Sequence, residues 1–559
     1  MAGFQDTGKF TMSFDLSQGA QIPLSGTAAG GQTGITAALA SVAFRDGSPD
    51  AIREASEKST VSKPRISLLE PNLGEAFTRA LEQRMLAEDR KPLVQSFGVD
   101  PQTVVEHALA AKRLRRQRDA QLTMIMAVCG LLFLPGVLVW LGLFQLRRTF
   151  AGAQDRRAGI LGMLALGVIA VLVVLLLYRA PVSGPLRLYL WAALPAPVLG
   201  WLWAQRVAER TAQSLRAQWS GLLSGGSTGA KIPEAVPQNP NDKEAERLRA
   251  GLAKITAEQA SNLIHYAGPE GILGMGMRWC QWSLAEELQP ADPQRDIDPF
   301  RAWDVVRAIH DQLRMLERGP LHTGGFPAAP NLVHWVVRHV GEGAGAVSRP
   351  EGPAADGYQF TNIEVQRVCN EQHIDSGDRH YLGAQFVLWD GALVVTMMIQ
   401  VTVLHRVLRI EVTGHILGPV HGFFFKGPDA KKRKMRHPVK FWQMVERPAP
   451  LVDAKEVVRL AARAPLTWRP AKLDELGGKL SLPEPFGLRH TWAGKPWRHR
   501  FMADDALRIP APVVLVVYET AIRVLAEHGV DTSGFTAKAA GLRGAVQSVS
   551  PGTPDEIGG

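Results

Sequence analysis

Three apolar blocks between residues 121 and 205 constrain the fold of this chain more than any other feature. They cover residues 122–146, 158–178 and 188–204, and none contains Asp, Glu, Lys or Arg. A helix rises about 1.5 Å per residue, so about 20 apolar residues cross a hydrocarbon core of roughly 30 Å. A buried core helix is the alternative, and it suits the short third block, with Pro195 and Pro197, better than the second. The sequence therefore predicts an α-helical membrane protein with two to three membrane segments.

The basic residues around these blocks bear on how the blocks sit in a bilayer. Lys and Arg collect on the cytoplasmic side, yet three full crossings would leave seven flanking basic residues on each side. If the first block does not cross, nine precede the second block, three follow the third and two lie outside. Leu134-Pro135-Gly136 is a turn signal inside the first block. We therefore expect a re-entrant hairpin there, in a plasma-membrane protein whose N-terminus and C-terminal domain are cytoplasmic. Three crossings, with the C-terminal domain outside, are the alternative.

Bulk composition sets the remaining bounds. The chain has 559 residues, too many for one domain. A net charge of +10 fits apposition to anionic lipid and makes nucleic acid the less favoured partner. Cys129, Cys280 and Cys369 lack the spacing of a disulfide framework or a zinc site. The first twenty residues lack the apolar core of a signal peptide.

Shifts in composition predict six parts of the chain. Asp100 and Pro101 are a favourable N-cap and first-turn pair, and they predict a helix whose basic end points toward the first apolar block. The parts are a flexible N-terminal arm (1–65), a helical basic region (66–120), the membrane region (121–205), a Gly-, Ser- and Pro-rich linker (220–245), a soluble α+β domain (246–540) and a disordered tail (541–559).

Residues 358–425 predict the β-rich part of the α+β domain. Asp390-Gly391 between two apolar runs is a strong hairpin signal, and His405-Arg406 marks a second turn. Together they predict an antiparallel meander of at least three strands. A later apolar run, residues 511–530, contains Glu519 and Arg523 and is short, so we do not expect it to cross a membrane.

Three basic surfaces are candidates for binding lipid headgroups or a protein partner. Basic runs beside apolar or aromatic residues suit a membrane interface, although such runs are more often simply solvated. The candidate residues are Lys112, Arg113, Arg115 and Arg116 before the first block; Lys431, Lys432, Arg433, Lys434 and Arg436 in a polybasic run; and Arg489, Trp492, Trp497 and Arg498 in a basic-aromatic stretch.

The only cluster with metal-ligand chemistry is the segment from Cys369 to His380. It contains Cys369, His373, Asp375, Asp378 and His380, but the spacing matches no zinc signature, and Asp-Ser-Gly-Asp is equally good as a turn. The chain has no nucleophile elbow, phosphate loop or kinase motif. We therefore predict no catalytic residue, no metal site and no cofactor.

The sequence around the membrane blocks is rich in Ala, Arg, Gly and Pro, as in LRRQRDAQL before the first block and VLVVLLLYRAPVSGP within and after the second. In this it resembles membrane proteins of high-GC Gram-positive bacteria. Its basic pre-membrane helix, LPG-interrupted block and α+β C-terminal domain resemble the membrane protein encoded with cytoplasmic contractile injection systems of these bacteria. The resemblance implies a non-enzymatic protein that links the injection particle to the membrane and promotes cell death.

Three functional hypotheses follow. The first is a non-enzymatic membrane anchor that offers a platform to a protein partner. A re-entrant hairpin needs burial against protein, for which a homo-oligomer is one arrangement. The second is a membrane-permeabilising or transport-type oligomer, although the apolar blocks lack an ionisable residue to mark an ion path. The third is a membrane-bound enzyme that uses the segment from Cys369 to His380.

Overall fold

The structure is a computed structural model. It describes residues 33–140, 184–317, 330–340 and 359–547, together with residues 167, 168, 171 and 326. Short gaps within these ranges fall at residues 57, 194, 225–231, 240, 269–270, 373, 429–433, 437–444, 448–449 and 494–499.

Helices make up most of the described N-terminal half, and a mixture of helices and strands the C-terminal half. The helices are α1 (Gly34–Ser41), α2 (Leu73–Leu81), α3 (Pro101–Ile125), α4 (Leu134–Trp140), α5 (Pro185–Ala193), α6 (Pro195–Ser224), α7 (Lys243–Gln259), α8 (Ala302–Leu313), α9 (Asn362–Asn370), α10 (Ala454–Arg463), α11 (Pro470–Gly477), α12 (Arg500–Arg508), α13 (Pro510–Glu527) and α14 (Ser533–Gln547). The strands are β1 (Thr60–Val61), β2 (Leu263–Tyr266), β3 (Met277–Glu287), β4 (Asn331–His339), β5 (Asp378–Leu388), β6 (Leu393–Leu404), β7 (Val407–Leu417), β8 (Lys434–Arg436), β9 (Val445–Arg447) and β10 (Leu480–Ser481).

Six strands form one mixed sheet in the order β2-β4-β5-β6-β7-β3. Only β2 and β4 are parallel, and the other neighbours are antiparallel. The predicted meander is β5-β6-β7. Its first turn contains Asp390 and Gly391, with φ of 53° and 84°, and its second contains His405, with φ of 57°. Both turns that the sequence predicted are present, because left-handed backbone is what Gly and short polar residues accept most readily.

Alternate residues of the strands pack into two cores on opposite faces of the sheet. On one face, β6 residues such as Val395 and Ile399 pack with α8 and α13. On the other, Val394 and Met398 pack with Phe97, from the segment before α3. Successive side chains of a pleated strand point to opposite faces of the sheet, so odd-numbered and even-numbered residues enter different cores. The sheet is thus covered on one face by helices from its own half of the chain and on the other by an earlier segment.

Two long helices, α3 and α6, form an antiparallel shaft. Asp100 caps α3 by accepting a hydrogen bond from the Gln102 amide at 3.0 Å, as predicted. With 25 residues, α3 is about 37 Å long at 1.5 Å per residue. Its N-terminal end lies at the sheet, since Thr33 donates a 2.9 Å hydrogen bond to the Gly98 carbonyl and Gly98 packs against Gly391. The opposite end of the shaft is therefore far from the sheet.

The predicted class of α-helical membrane protein with two to three segments is wrong. The described residues form chiefly an α+β fold around the six-stranded sheet. Among them, one helical stretch, Arg500–Glu527, is long and apolar enough to cross a bilayer, and 56% of its apolar window is buried. That stretch was not one of the predicted segments. Its apolar sequence reflects burial, because α13 packs against α8 in the core on one face of the sheet.

The three predicted segments have different outcomes. The first is broken: Pro101–Leu131 and α4 would pass as a span only together, and they meet at an angle of 89°. The second, 158–178, lies outside the described residues apart from 167, 168 and 171. The third is divided between α5 and the first turns of α6, and α6 continues to Ser224 against the core. A hydropathy pattern reports apolar side chains, and it does not report whether protein or lipid covers them.

Other predicted boundaries also shift. Residues 33–65, expected to belong to a flexible arm, include α1, whose apolar residues Ile35 and Leu39 are completely covered by α3 and α6. Residues 1–32 lie outside the described part. In the predicted tail, α14 continues to Gln547, and residues 548–559 lie outside the described part. The small apolar residues of α1 allow close packing against α3 and α6, which the predicted flexible arm did not include.

Candidate functional site

Exposed large apolar side chains concentrate at the end of the shaft that lies away from the sheet. We call this surface the apolar tip. Leu131 is 76% exposed, Leu188 67% and Leu199 62%. Monomeric proteins rarely expose contiguous apolar patches larger than a few hundred Å² unless the patch binds something. The tip comprises Met124, Met126, Val128, Leu131, Leu132, Leu134, Leu138 and Trp140 from the first apolar block, and Leu188, Val198, Leu199, Leu202 and Trp203 from the third.

The tip has a specific local geometry. After α3 the chain widens into a π-helix over Met126–Leu131 and then bends by 89° into α4. Pro135 lies in the first turn of α4, where a missing amide hydrogen costs least. The first block is therefore bent, but the bend lies at Leu132–Phe133, and the predicted turn residues Leu134-Pro135-Gly136 begin α4. The side of a bilayer on which each flank would lie stays a prediction.

Glycines and aromatic residues hold the two halves of the tip together. A Cβ atom on Gly136 would lie 1.7 Å from the Ala193 carbonyl oxygen, so only glycine allows this approach of α4 to α5. The Tyr189 hydroxyl donates a 2.7 Å hydrogen bond to the Leu132 carbonyl, and its ring stacks on Phe133 at 5.4 Å. The tip is thus a packed unit rather than two separate apolar ends.

A small apolar core joins the base of the tip to the C-terminal half of the chain. Leu122 and Ile125 of α3 pack with residues 204–208 of α6 and with Ala464, which follows α10. The Glu209 carboxylate accepts hydrogen bonds from the backbone amides of Leu451 and Val452 at 2.9 and 3.0 Å. The segment that carries α10 is therefore fastened directly beneath the tip.

A buried charge network lies next to this core. Glu75 of α2 accepts a hydrogen bond from Arg79 at 2.6 Å and one from Arg463 of α10 at 2.5 Å. Burial alone would raise the pKa of Glu75, but the Arg463 and Arg79 guanidinium groups outweigh it and lower the pKa to about 2. Arg118 pairs with Asp119 at 2.8 Å. Residues far apart in the chain thus neutralise one another inside the protein.

The predicted basic surface before the first block is only partly a surface. Arg115 is 6% exposed and donates to the backbone carbonyls of Ala43 and Gly74 at 2.6 and 3.3 Å. Burial lowers its pKa to about 10. It therefore cannot contact lipid headgroups, and its assignment as a binding residue is wrong.

The remaining residues of that surface are more accessible. Lys112 is half-buried and pairs with Glu82 at 2.7 Å. Arg113 is exposed, and Arg116 is exposed beside Glu244 at 3.6 Å. Periodicity did not separate the inward basic residue from its outward neighbours, because charged residues outnumber apolar ones in this part of the helix, residues 112–119.

The predicted basic-aromatic surface is also corrected. Arg489 and Trp492 are both completely buried. Arg489 donates to the carbonyls of Ala392 and Gly418 at 2.8 and 2.6 Å, and burial lowers its pKa to about 9. Arg489 thus fastens its own segment to the sheet, and Trp492 packs in the core shared with the N-terminal half, so neither side chain faces a partner.

The other predicted binding residues fall largely outside the described part of the chain. Lys431, Lys432, Arg433, Trp497 and Arg498 are not among the described residues. The backbones of Lys434 and Arg436 form β8, which pairs with β9. Their assignment to a lipid or partner surface stays a prediction.

Three histidines form a hydrogen-bonded row between α8 and the sheet. We call His310, His334 and His380 the histidine row. His334 Nε2 lies 3.0 Å from His310 Nδ1, and His334 Nδ1 lies 3.1 Å from His380 Nε2. Burial lowers the pKa of His380 to about 3, and burial together with the other two rings lowers that of His334 well below its usual value. The row is therefore neutral and bridges a helix to two strands.

The segment from Cys369 to His380, whose residue types suit metal ligation, lies partly in the core beside the histidine row. Cys369 and His380 are buried, whereas Asp375 is exposed and Asp378 pairs with Arg338 at 2.8 Å; His373 lies outside the described residues. No group of three or more His, Cys, Asp or Glu side chains within the described residues is arranged to hold a metal ion. Sequence reasoning missed His310 and His334, because partners on three separate elements leave no local pattern.

Comparison with known proteins gives one result for this chain. Residues 281–553 match the family model of the AbeC-like domain, which covers just under half of the 559 residues. The match includes nearly all of the sheet from β3 onward and the helices α8 to α14, and it excludes the tip and the shaft. No curated protein and no solved structure matches the chain.

Proposed function

We propose that this chain is a membrane-associated interaction protein at the plasma membrane and that it does not itself catalyse a reaction. The observation that carries the proposal is the apolar tip, which lies at one end of a shaft about 37 Å long. Burying five Leu-sized side chains is worth about 8–15 kcal/mol. Ordering a protein on a surface costs about 4–15 kcal/mol in comparable associations. Insertion of most of the tip into a bilayer therefore supplies a free energy as large as the cost of attachment.

The sheet of the AbeC-like half, at the other end of the shaft, is our candidate for binding a protein partner. AbeC is a membrane-associated protein of contractile injection systems, and the sequence resemblance noted above points to the same systems. We propose a component of a contractile injection particle as the partner, with attachment of the particle to the membrane and promotion of cell death as the outcome. The separation of tip and sheet along α3 supports these two roles, because the tip can insert into the bilayer while the sheet end binds the partner.

The first test is flotation of the full-length protein with phospholipid vesicles. Leu131→Asp combined with Leu199→Asp places two carboxylates in the tip, at a cost of roughly 3 kcal/mol each on insertion scales. We expect the wild-type chain to float with the vesicles and the double variant to stay in the soluble fraction.

The matched control is Ile363→Asp with Ile374→Asp. These isoleucines are 79% and 86% exposed, but they lie beside the sheet, on α9 and just before β5. The control should float like the wild-type chain, and a wild-type chain that does not float would overturn the proposal. Vesicles loaded with a fluorescent dye separate attachment from permeabilisation, since an anchor should leave the dye inside.

A further inference from the structure

We infer that a group of four basic side chains and one tryptophan beneath the apolar tip binds anionic phospholipid headgroups, with Trp468 as its interfacial anchor. We call this group the collar, and it consists of Arg206, Arg210, Trp468, Arg469 and Lys472. The inference rests on the proposed function, since it concerns how the same attached protein recognises the bilayer surface.

Trp468 is placed at the base of the tip by the core described above. It ends a short 3₁₀ helix, Ala464–Trp468, which contacts α3. Ala464 packs with Leu122 and Ile125, and Met124, the first exposed residue of the tip, lies between those two positions. Trp468 itself is 70% exposed. An exposed tryptophan beside an apolar insertion is the arrangement that places an amphipathic ring at headgroup level.

The basic members of the collar approach the tip from two elements. Arg206 and Arg210 are exposed on α6, and Arg206 follows the exposed tip residue Trp203 by three positions. Three residues correspond to about 4.5 Å along a helix, which is within the headgroup layer of roughly 5–7 Å on each side of the hydrocarbon core. Arg469 and Lys472 are exposed around the start of α11, next to Trp468. Arg210 lies four residues, about 6 Å, further along α6 than Arg206. Long basic side chains near the interface extend their charges toward the headgroups.

The acidic residues near the collar are already engaged. Glu209 accepts two backbone amides, Asp474 pairs with Arg79 at 2.7 Å and Glu475 pairs with Arg65 at 2.9 Å. The four basic collar residues, in contrast, form no ion pair with another described residue. The surface therefore presents a net positive charge where the tip would enter a bilayer, which favours anionic over neutral lipid.

The test compares binding of the full-length protein to two kinds of vesicle: phosphatidylcholine alone, and phosphatidylcholine with about 30% phosphatidylglycerol. A basic residue near an anionic surface contributes about five-fold to binding. We expect Arg469→Ala with Lys472→Ala to lose about 25-fold in affinity for the anionic vesicles and little for the neutral ones. Trp468→Ala should weaken binding to both kinds.

Two control variants lie at the sheet end of the molecule. Arg367→Ala with Arg406→Ala removes two exposed basic residues, and Trp389→Ala removes a part-exposed tryptophan at the first meander turn. Neither should change binding. If wild-type protein binds neutral and anionic vesicles equally, or if the control pair loses as much affinity as the collar pair, the inference is wrong while the proposed attachment stands. If neither vesicle binds wild-type protein, the proposed function itself is wrong.

Discussion

At the scale of single residues, several charged side chains that the sequence suggested for the surface are buried and stabilise the fold. Arg489 is the clearest example. Its guanidinium group lies between the carbonyls of Ala392, at the first meander turn, and Gly418, at the end of β7. A charged group without an acidic partner is costly to bury, and its hydrogen bonds to backbone carbonyls offset that cost. The sequence around it, rich in basic and aromatic residues, is indistinguishable from that of a binding surface.

Replacement of Arg489 tests this role. Arg489→Met should lower the free energy of unfolding by about 2–4 kcal/mol, because two buried carbonyls lose charge-assisted donors. Urea denaturation followed by circular dichroism gives the value. Arg406→Ala, at an exposed meander turn, is the control and should change stability by no more than about 0.5 kcal/mol. An Arg489→Met protein as stable as the wild type would contradict this structural role of Arg489.

At the scale of elements, the histidine row explains how α8 is held on the sheet. His310 comes from α8, His334 from β4 and His380 from β5, and Trp303 of α8 packs against the last two rings at 4.9 and 5.8 Å. Asp311 and Arg314 lie near His310 and affect its pKa in opposite directions. A helix fastened by neutral imidazoles is stable only while they remain uncharged.

The row predicts a loss of stability in acid. The pKa of His380 is about 3 in the folded protein, against about 6.5 in an unfolded chain. Below pH 6.5 the unfolded state binds the extra proton, so stability is present above that pH and falls as the pH drops toward 3. Between pH 7.5 and 5 the loss is about 2 kcal/mol for each histidine that stays neutral. Urea midpoints at the two pH values measure it.

Removing one titrating ring should make this dependence shallower. His380→Gln keeps a hydrogen-bonding side chain but cannot titrate, so its loss of stability between pH 7.5 and 5 should be about 2 kcal/mol smaller than that of the wild type. His405→Asn is the control, since His405 is exposed in a turn and asparagine accepts its positive φ. The assignment fails if the two variants show the same pH dependence.

At the scale of the whole molecule, the two halves of the chain are interwoven rather than placed side by side. Strand β1 pairs with β10, more than 400 residues later, and Arg79 pairs with Asp474 at 2.7 Å. The core that surrounds α1 also includes Phe424, Phe486 and Trp492. The segment that matches the AbeC-like domain thus relies on N-terminal residues for part of its packing.

The ion pair between Glu75 and Arg463 tests this interdependence. Glu75→Gln leaves the Arg463 charge buried without its partner, so we expect the free energy of unfolding to fall by about 3–5 kcal/mol. Glu475→Gln breaks a pair that also joins the two halves, but whose side chains are 60% and 69% exposed. Exposed pairs are worth about 0–1 kcal/mol, so this control should behave like the wild type in calorimetry. If both changes lowered the free energy of unfolding equally, the buried Glu75–Arg463 pair would not be what joins the two halves.

The sequence by itself determined the features that neighbouring residues encode. The cap at Asp100, the turn at Asp390-Gly391 and the bend just before Leu134-Pro135 each depend on residues adjacent in the chain. So does the apolar character of residues 124–140 and 188–203. These signals are local because backbone conformation and side-chain hydrophobicity are local properties.

Only the tertiary structure decided which apolar and charged side chains are covered. Arg115 and Arg489 lie inside the protein and α13 belongs to the core, whereas the apolar side chains of the tip remain exposed. The histidine row and the collar come together from elements that the chain brings close over tens to hundreds of residues. Burial depends on such distant partners, and a single sequence carries no local record of them.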